Sequence, residues 1–116
     1  MHNLSPYSNF EILESFLVTY DKSSDKEGNA HTSENWRSKY FKQDGVIWII
    51  KRNNKQYFQW QPINPKGDVL FDKGLVSSED DCIITENALT ITTQNSIYFF
   101  TIHDHNNNVV APPILW

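Results

Sequence analysis

The apolar residues of the first segment, Ser8–Tyr20, fit both a helical repeat and a strand repeat. A helix is favoured because Ser8 and Glu11 have the spacing of a capping box, and because large apolar side chains recur on one helical face. A strand is favoured because apolar residues also alternate along the segment, and Val18 and Thr19 add β-branched character. We expect an N-terminal helix here and keep a strand as the alternative.

The polar stretch 21–35 has little apolar surface to bury and predicts a mobile loop. After it, short apolar runs alternate with turn residues, which predicts a series of strands. We expect turns at Asp44-Gly45, Asn53-Asn54, residues 64–68 and Gln94-Asn95, because Asp-Gly and Asn-Asn accept the backbone angles of tight hairpins. The expected strands are Ser38–Gln43, Val46–Lys51, Lys55–Trp60 with Pro62 as its end, Val69–Asp72, Cys82–Thr85, Ala88–Thr93 and Ser96–His103.

Both faces of two expected strands, at Val46–Lys51 and Ser96–His103, carry apolar residues, which predicts central strands covered on both sides. An N-terminal helix would cover one face. We therefore expect a mainly β (α+β) fold, a single antiparallel meander sheet of six or seven strands with an N-terminal helix. An all-β sandwich or a half-open barrel is the alternative if the first segment is a strand.

The length of 116 residues is that of one small domain. We expect an N-terminal element (1–20), a polar loop (21–35), a meander (36–105) and an apolar tail (106–116). The tail contains two prolines, which exclude a helix, so we expect an extended segment that folds back on the core. Docking of the tail into a partner is the alternative.

The charged residues indicate the compartment and the class of partner. Glu11 and Glu14 lie inside the only apolar stretch near the start, and no basic segment precedes it, so we expect neither a secretory signal nor a membrane span. The single Cys82 rules out a disulfide framework and fits a cytoplasmic protein. A net charge of -4 disfavours general binding to nucleic acid or to an anionic membrane.

No catalytic, nucleotide-binding or metal-binding motif is present, so we expect no enzyme activity, no cofactor and no metal. The nearest candidate is His103-Asp104-His105, because residues two apart on a strand share a face, but two imidazoles alone do not make a metal site. A scattered enzyme site would use His103, His105 and Glu86. Cys82 follows three acidic residues, which raise a thiol pKa, so we expect a structural thiol.

One hairpin combines basic and aromatic side chains in the way that single-strand nucleic-acid binders do. Its candidate residues are Lys51, Arg52, Lys55, Tyr57 and Trp60. The simpler interpretation is that the charges solvate the turn and the aromatic rings fill the core. A single-stranded nucleic-acid or small-ligand binding module is therefore kept as the alternative function.

Acidic residues form the other electrostatic feature. Ser77–Asp81 ends in three consecutive acids, and further acids occur in the polar stretch. Carboxylates grouped in this way can imitate the phosphates that a basic protein binds. They can also raise the rate at which that protein associates with this one. The candidate partner-binding residues are Glu79, Asp80, Asp81, Asp21, Asp25 and Glu27.

In size, acidity, aromatic content and absence of catalytic motifs, the chain resembles the small immunity proteins that bacteria make against toxins of contact-dependent and related secretion systems. The resemblance concerns the general character of the whole chain and transfers no residue roles. It implies a cytoplasmic, non-enzymatic inhibitor that occludes the active site of a cognate toxin, often a nuclease. The acidic segment Ser77–Asp81 is the contact that this resemblance suggests.

Overall fold

A computed structural model describes residues 10–70 and 72–106, which form one antiparallel sheet of seven strands. The strands are β1 (Phe10–Asp25), β2 (Gln43–Arg52), β3 (Lys55–Pro62), β4 (Leu75–Ser78), β5 (Asp81–Ile84), β6 (Ala88–Thr92) and β7 (Ser96–His105). Their order across the sheet is β4-β3-β2-β1-β7-β6-β5. The sheet curls into a half-barrel, so the half-open barrel held as the alternative is confirmed.

The expectation of an N-terminal helix is wrong, because residues 10–25 form the central strand of the sheet. β1 pairs with β2 on one edge and with β7 on the other. Phe16, Val18 and Tyr20 alternate along it and are all buried in the core. Ser8, the expected cap residue, lies outside the described residues.

The expected polar loop is shorter than predicted, because β1 continues through Asp25. The chain then folds back along the end of β1, where the backbone N–H of His31 donates to the carbonyl of Ser23 at 2.9 Å. The strand expected at residues 38–43 is wrong. A short 3₁₀ helix, Trp36–Tyr40, is found there, and the Asn35 side chain caps it by accepting from the backbone N–H of Arg37 at 2.9 Å. It is the only helix in the described part of the chain.

The hairpin between β2 and β3 is confirmed, with Asn53 and Asn54 at φ angles of 52° and 63° in its turn. The turn expected at Asp44-Gly45 is wrong, because both residues lie within β2. A Cβ at Gly45 would be 2.6 Å from Nε1 of Trp60 and would also meet the carbonyl of Gln61. Gly45 is therefore needed for close packing against Trp60, not for a turn.

β2 is buried on both faces, as expected, but no helix within residues 10–70 and 72–106 covers it. On the concave side, Ile47 and Ile49 join an aromatic core centred on Tyr20, whose ring packs edge-on against Trp60 with centroids 5.4 Å apart. On the convex side a second cluster forms, and the segment between β3 and β4 contributes to it. Its members are Val46, Trp48 and Ile50, with Ile12, Tyr57, Ile63 and Val69 packed against them.

The segment after β3 differs from expectation. Residues 64–68 form the predicted turn, in which the Asn64 side chain accepts from the backbone N–H groups of Lys66 and Asp68, both at 2.9 Å. The strand expected at Val69–Asp72 is reduced to one bridge between Ile63 and Val69. The true strand is β4, which the sequence did not indicate.

The remaining strands, β5, β6 and β7, form a second meander at the predicted positions, with β7 extending to His105. The predicted turn at Gln94-Asn95 is confirmed, since the hydroxyl of Thr93 donates to the carbonyl of Ser96 at 3.1 Å. The tail beyond Asn106, and with it the expectation that it folds back, lies outside the described residues.

Candidate functional site

The three consecutive acids lie where the chain passes from one edge of the sheet to the other. We call Glu79–Asp81 the acidic junction. The backbone N–H of Glu79 donates to the carbonyl of Gln56 on β3 at 3.0 Å, and that of Asp80 donates to the carbonyl of Thr92 on β6 at 2.8 Å. β4 and β5 lie at opposite edges of the sheet, and only Glu79 and Asp80 separate them along the chain. The junction is therefore held by backbone bonds on both sides.

Glu79 differs from its two neighbours because its side chain is buried, with 7% of the residue exposed. Its Oε1 accepts a hydrogen bond from the side-chain amide of Gln56. Its Oε2 is buried and has no hydrogen-bond partner among the described residues. Burial raises the pKa of Glu79, the Gln56 bond opposes this, and the charge of Asp81 adds to the increase.

Of the second group of predicted acids, Asp25 ends β1 and Glu27 lies in the turn that follows, and the structure brings this turn to the junction. Nζ of Lys26 lies 3.9 Å from Oδ2 of Asp80. Asp25 organises the turn by accepting from the backbone N–H groups of Glu27 and Asn29, both at 2.9 Å. Hydrogen bonds from Asn29 lower the pKa of Asp25. Asp25 is therefore a charged, structural part of the acidic surface.

Asp21 has a different setting from the other predicted acids. Its Oδ2 accepts a hydrogen bond from the hydroxyl of Thr101 on β7 at 2.6 Å. Glu27, by contrast, is exposed in the turn. The structure thus places the turn beside the junction, whereas Asp21 is hydrogen-bonded to β7 within the sheet.

A small cleft opens beside the junction, with a volume of about 300 Å³. The described residues that line it are Gln56, Glu79, Asp80, Asp81 and Cys82. Burial, with the nearby charges of Glu79, Asp81 and Glu14, raises the pKa of Cys82 to about 12. A thiol in this state is a poor nucleophile at neutral pH, in agreement with what the neighbouring sequence suggested.

The basic and aromatic residues of the β2–β3 hairpin do not form one surface. Lys51 and Lys55 are exposed and Arg52 is half-buried near the turn, whereas Tyr57 packs against the convex cluster. Trp60 has no exposed area and lies in the core, so its ring cannot stack on a base. The arrangement supports the simpler interpretation, in which charges solvate the turn and an aromatic ring fills the core.

The two histidines expected on one face are separated by an irregularity in the pairing of β1 with β7. Nε2 of His103 lies 2.6 Å from the Thr19 hydroxyl, while the ring of His105 packs on Phe16 with centroids 5.2 Å apart. Both line a cleft of about 540 Å³ together with Glu86. No group of three or more metal-ligating side chains is present among residues 10–70 and 72–106.

Two residues at the junction were not singled out from the sequence. Gln56 is one of several polar residues in a strand, and nothing local marks it as the partner of Glu79. Lys26 lies between two acidic residues in the sequence. This pattern predicts a charged turn, but it does not predict that Lys26 contacts Asp80.

Comparisons with protein-family models, with curated proteins and with solved structures gave no significant match. In the described residues, no helix has the length and apolar character needed to cross a membrane.

Proposed function

We propose that this protein is a non-enzymatic, protein-binding inhibitor, and specifically an immunity protein that neutralises a cognate bacterial toxin by occluding its active site. The observation that carries the proposal is the acidic surface formed by two segments far apart in sequence. The turn at residues 25–29 lies beside the acidic junction, where Lys26 approaches Asp80. A surface of this kind is complementary to a basic partner.

The junction suits recognition because its backbone is held in place before binding. Backbone bonds to β3 and β6 fix the main chain at Glu79 and Asp80, and Asp80 and Asp81 remain exposed. Little ordering entropy is then lost when a partner binds. A nuclease is a suitable class of target, because its active site binds phosphates through basic side chains. The carboxylates of the junction can contact these side chains in place of phosphates. We place the inhibitor in the cytoplasm, where a lone thiol stays reduced.

The test is titration calorimetry and stopped-flow binding with the C-terminal domain of the protein encoded next to this one, in a catalytically disabled form. We expect a 1:1 complex. The double variant Asp80→Lys, Asp81→Lys should associate at least about tenfold more slowly at low salt, and the difference should shrink as salt is raised. Glu79 is left unchanged because a buried lysine would disturb the fold.

The matched control is Asp72→Lys, Glu86→Lys, which makes the same charge change at two exposed positions outside the junction and outside the 25–29 turn. This variant should keep most of the wild-type association rate. Equal effects of the two double variants would show that only net charge matters and would remove the junction from the mechanism. Absence of any complex would reject the proposed inhibitor function for this pair.

A further inference from the structure

The buried carboxylate of Glu79 has an unused hydrogen-bonding position at the acidic junction. Gln56 satisfies Oε1, but no described residue donates to Oε2. Buried carboxylate oxygens are normally paired, because leaving one unpaired costs free energy that a donor would recover. The free protein therefore has a site that a hydrogen-bond donor would stabilise.

The surroundings of Glu79 select a cationic donor. Asp80 and Asp81 line the same cleft, and no lysine or arginine is among its described lining residues. Lys26 contacts the exposed carboxylate of Asp80 rather than the carboxylate of Glu79. A cation in the cleft would thus meet one buried carboxylate and two exposed ones.

The size of the cleft fits one long side chain. Its volume of about 300 Å³ is roughly that of ten water molecules at about 30 Å³ each. The terminal torsion of a glutamate is broad, so a modest rotation can turn Oε2 toward a donor in the cleft. Backbone bonds on both sides of the junction keep the opening in place during this rotation.

We propose that this cleft receives a lysine or arginine side chain of the protein partner, whose N–H donates to Oε2 of Glu79. The inference rests on the proposed inhibitor function. It makes Glu79 the anchor of the complex, while Asp80 and Asp81 attract the partner from outside. A charge-assisted bond formed in a buried position is typical of the few residues that dominate the affinity of an interface.

The proposal can be tested without the partner, using Nα-acetyl-arginine-N-methylamide as the probe. Its neutral match is the citrulline analogue, which keeps the shape and loses the charge. Both are titrated into the ¹⁵N-labelled protein, and the side-chain amide of Gln56 and the backbone amides of Asp80 and Asp81 are observed by NMR. We expect saturable shifts with the arginine probe and binding about tenfold weaker with citrulline, as for loss of a charged hydrogen bond.

The decisive variant is Glu79→Gln, which keeps the shape of the side chain and its bond with Gln56. It should reduce binding of the arginine probe to the level of citrulline, whereas Glu86→Gln, on the β5–β6 turn, should leave it unchanged. The midpoint of the Glu79 carboxyl ¹³C titration should also fall in the presence of the probe. Burial and the charge of Asp81 raise the pKa of Glu79, and a bound cation opposes both because it stabilises the ionised carboxylate.

Failure of this inference can be told apart from failure of the proposed function. Equal binding of the two probes, unchanged binding to Glu79→Gln, or no saturable shift would overturn the cation site. If the toxin domain nevertheless binds through Asp80 and Asp81, the inhibitor function stands without the anchor. If the probe binds through Glu79 but no toxin domain does, the site stands and the inhibitor function fails.

Discussion

Replacing Glu79 by glutamine should stabilise the free protein at neutral pH. In the wild type, one carboxylate oxygen is buried without a donor, and such a group costs about 1–3 kcal/mol. Glutamine keeps the bond with Gln56 and removes the charge, but its amide N–H₂ takes the unpartnered position. We therefore expect the free energy of unfolding to rise by an amount at the lower end of this range, about 1 kcal/mol. For a chain of this length that corresponds to about 4 °C in Tm.

The gain should depend on pH, and its sign follows from the raised pKa of Glu79. Between the ordinary value of 4.5 and the higher folded value, the folded protein keeps a proton that the unfolded chain has lost. The wild type therefore loses stability as pH rises through this interval, by at most about 1.4 kcal/mol per pH unit. The glutamine variant lacks this loss, so its advantage should be largest at neutral pH and should shrink toward pH 4.5.

The measurement is urea unfolding of both proteins across this pH range, followed by tryptophan fluorescence. The difference in unfolding free energy between them isolates Glu79, because Asp81 and the other titrating groups are common to both. Asp80→Asn is the control, and its effect should stay within about 0.5 kcal/mol because Asp80 is exposed and its pair with Lys26 is at the surface. A difference between wild type and Glu79→Gln that is the same at every pH would refute the reasoning.

Two further predictions concern packing and thiol chemistry. Gly45→Ala should destabilise the fold by about 1–3 kcal/mol, because the new methyl group meets the Trp60 ring and a paired backbone carbonyl. Gly67→Ala, where φ is +87° but nothing lies within 4 Å, measures the cost of backbone strain alone in the same denaturation assay; a loss below about 0.5 kcal/mol for Gly45→Ala would contradict the packing argument. Cys82, with a pKa of about 12, should react with iodoacetamide near pH 8 at least about 100-fold more slowly than free cysteine. A rate close to that of free cysteine, measured by mass spectrometry, would show that the thiol is not desolvated.

Local chemistry was sufficient to predict some elements but not others. Asn53-Asn54 was predicted correctly because the turn depends on the backbone preferences of those two residues alone. Gly45 was misinterpreted because its role depends on Trp60, which reaches it only after β2 and β3 pair. The same holds for β4, whose four residues form a strand by pairing with β3 and carry little pattern of their own.

The N-terminal segment shows why a correct pattern can still lead to the wrong element. The alternation of Phe16, Val18 and Tyr20 was visible, and so was the helical spacing of other residues. The choice between them depends on β2 and β7, which flank the segment and are distant in sequence. Hydrogen bonding on both edges favours the strand, and no window of local sequence contains that information.

The candidate site was predictable in part for the same reason. The run of acids at residues 79–81 marked a charged segment, and its place in the fold agrees with an exposed acidic surface. That Glu79 is buried while Asp80 and Asp81 are exposed follows from the change of strand partner at this point. The contact of Lys26 with Asp80 also depends on how the sheet curls.

The central position of β1 has a consequence for synthesis on the ribosome. Of the seven strands, β1 is synthesised first, but one of its edges pairs with β7, and the hydrogen bond between Asp21 and Thr101 joins residues 80 positions apart. Until β7 emerges, the nascent chain therefore carries an open strand edge with apolar side chains beside it, which is an aggregation hazard. Strands so distant in sequence pair slowly, so we expect the half-barrel to be completed only after β7 has left the exit tunnel.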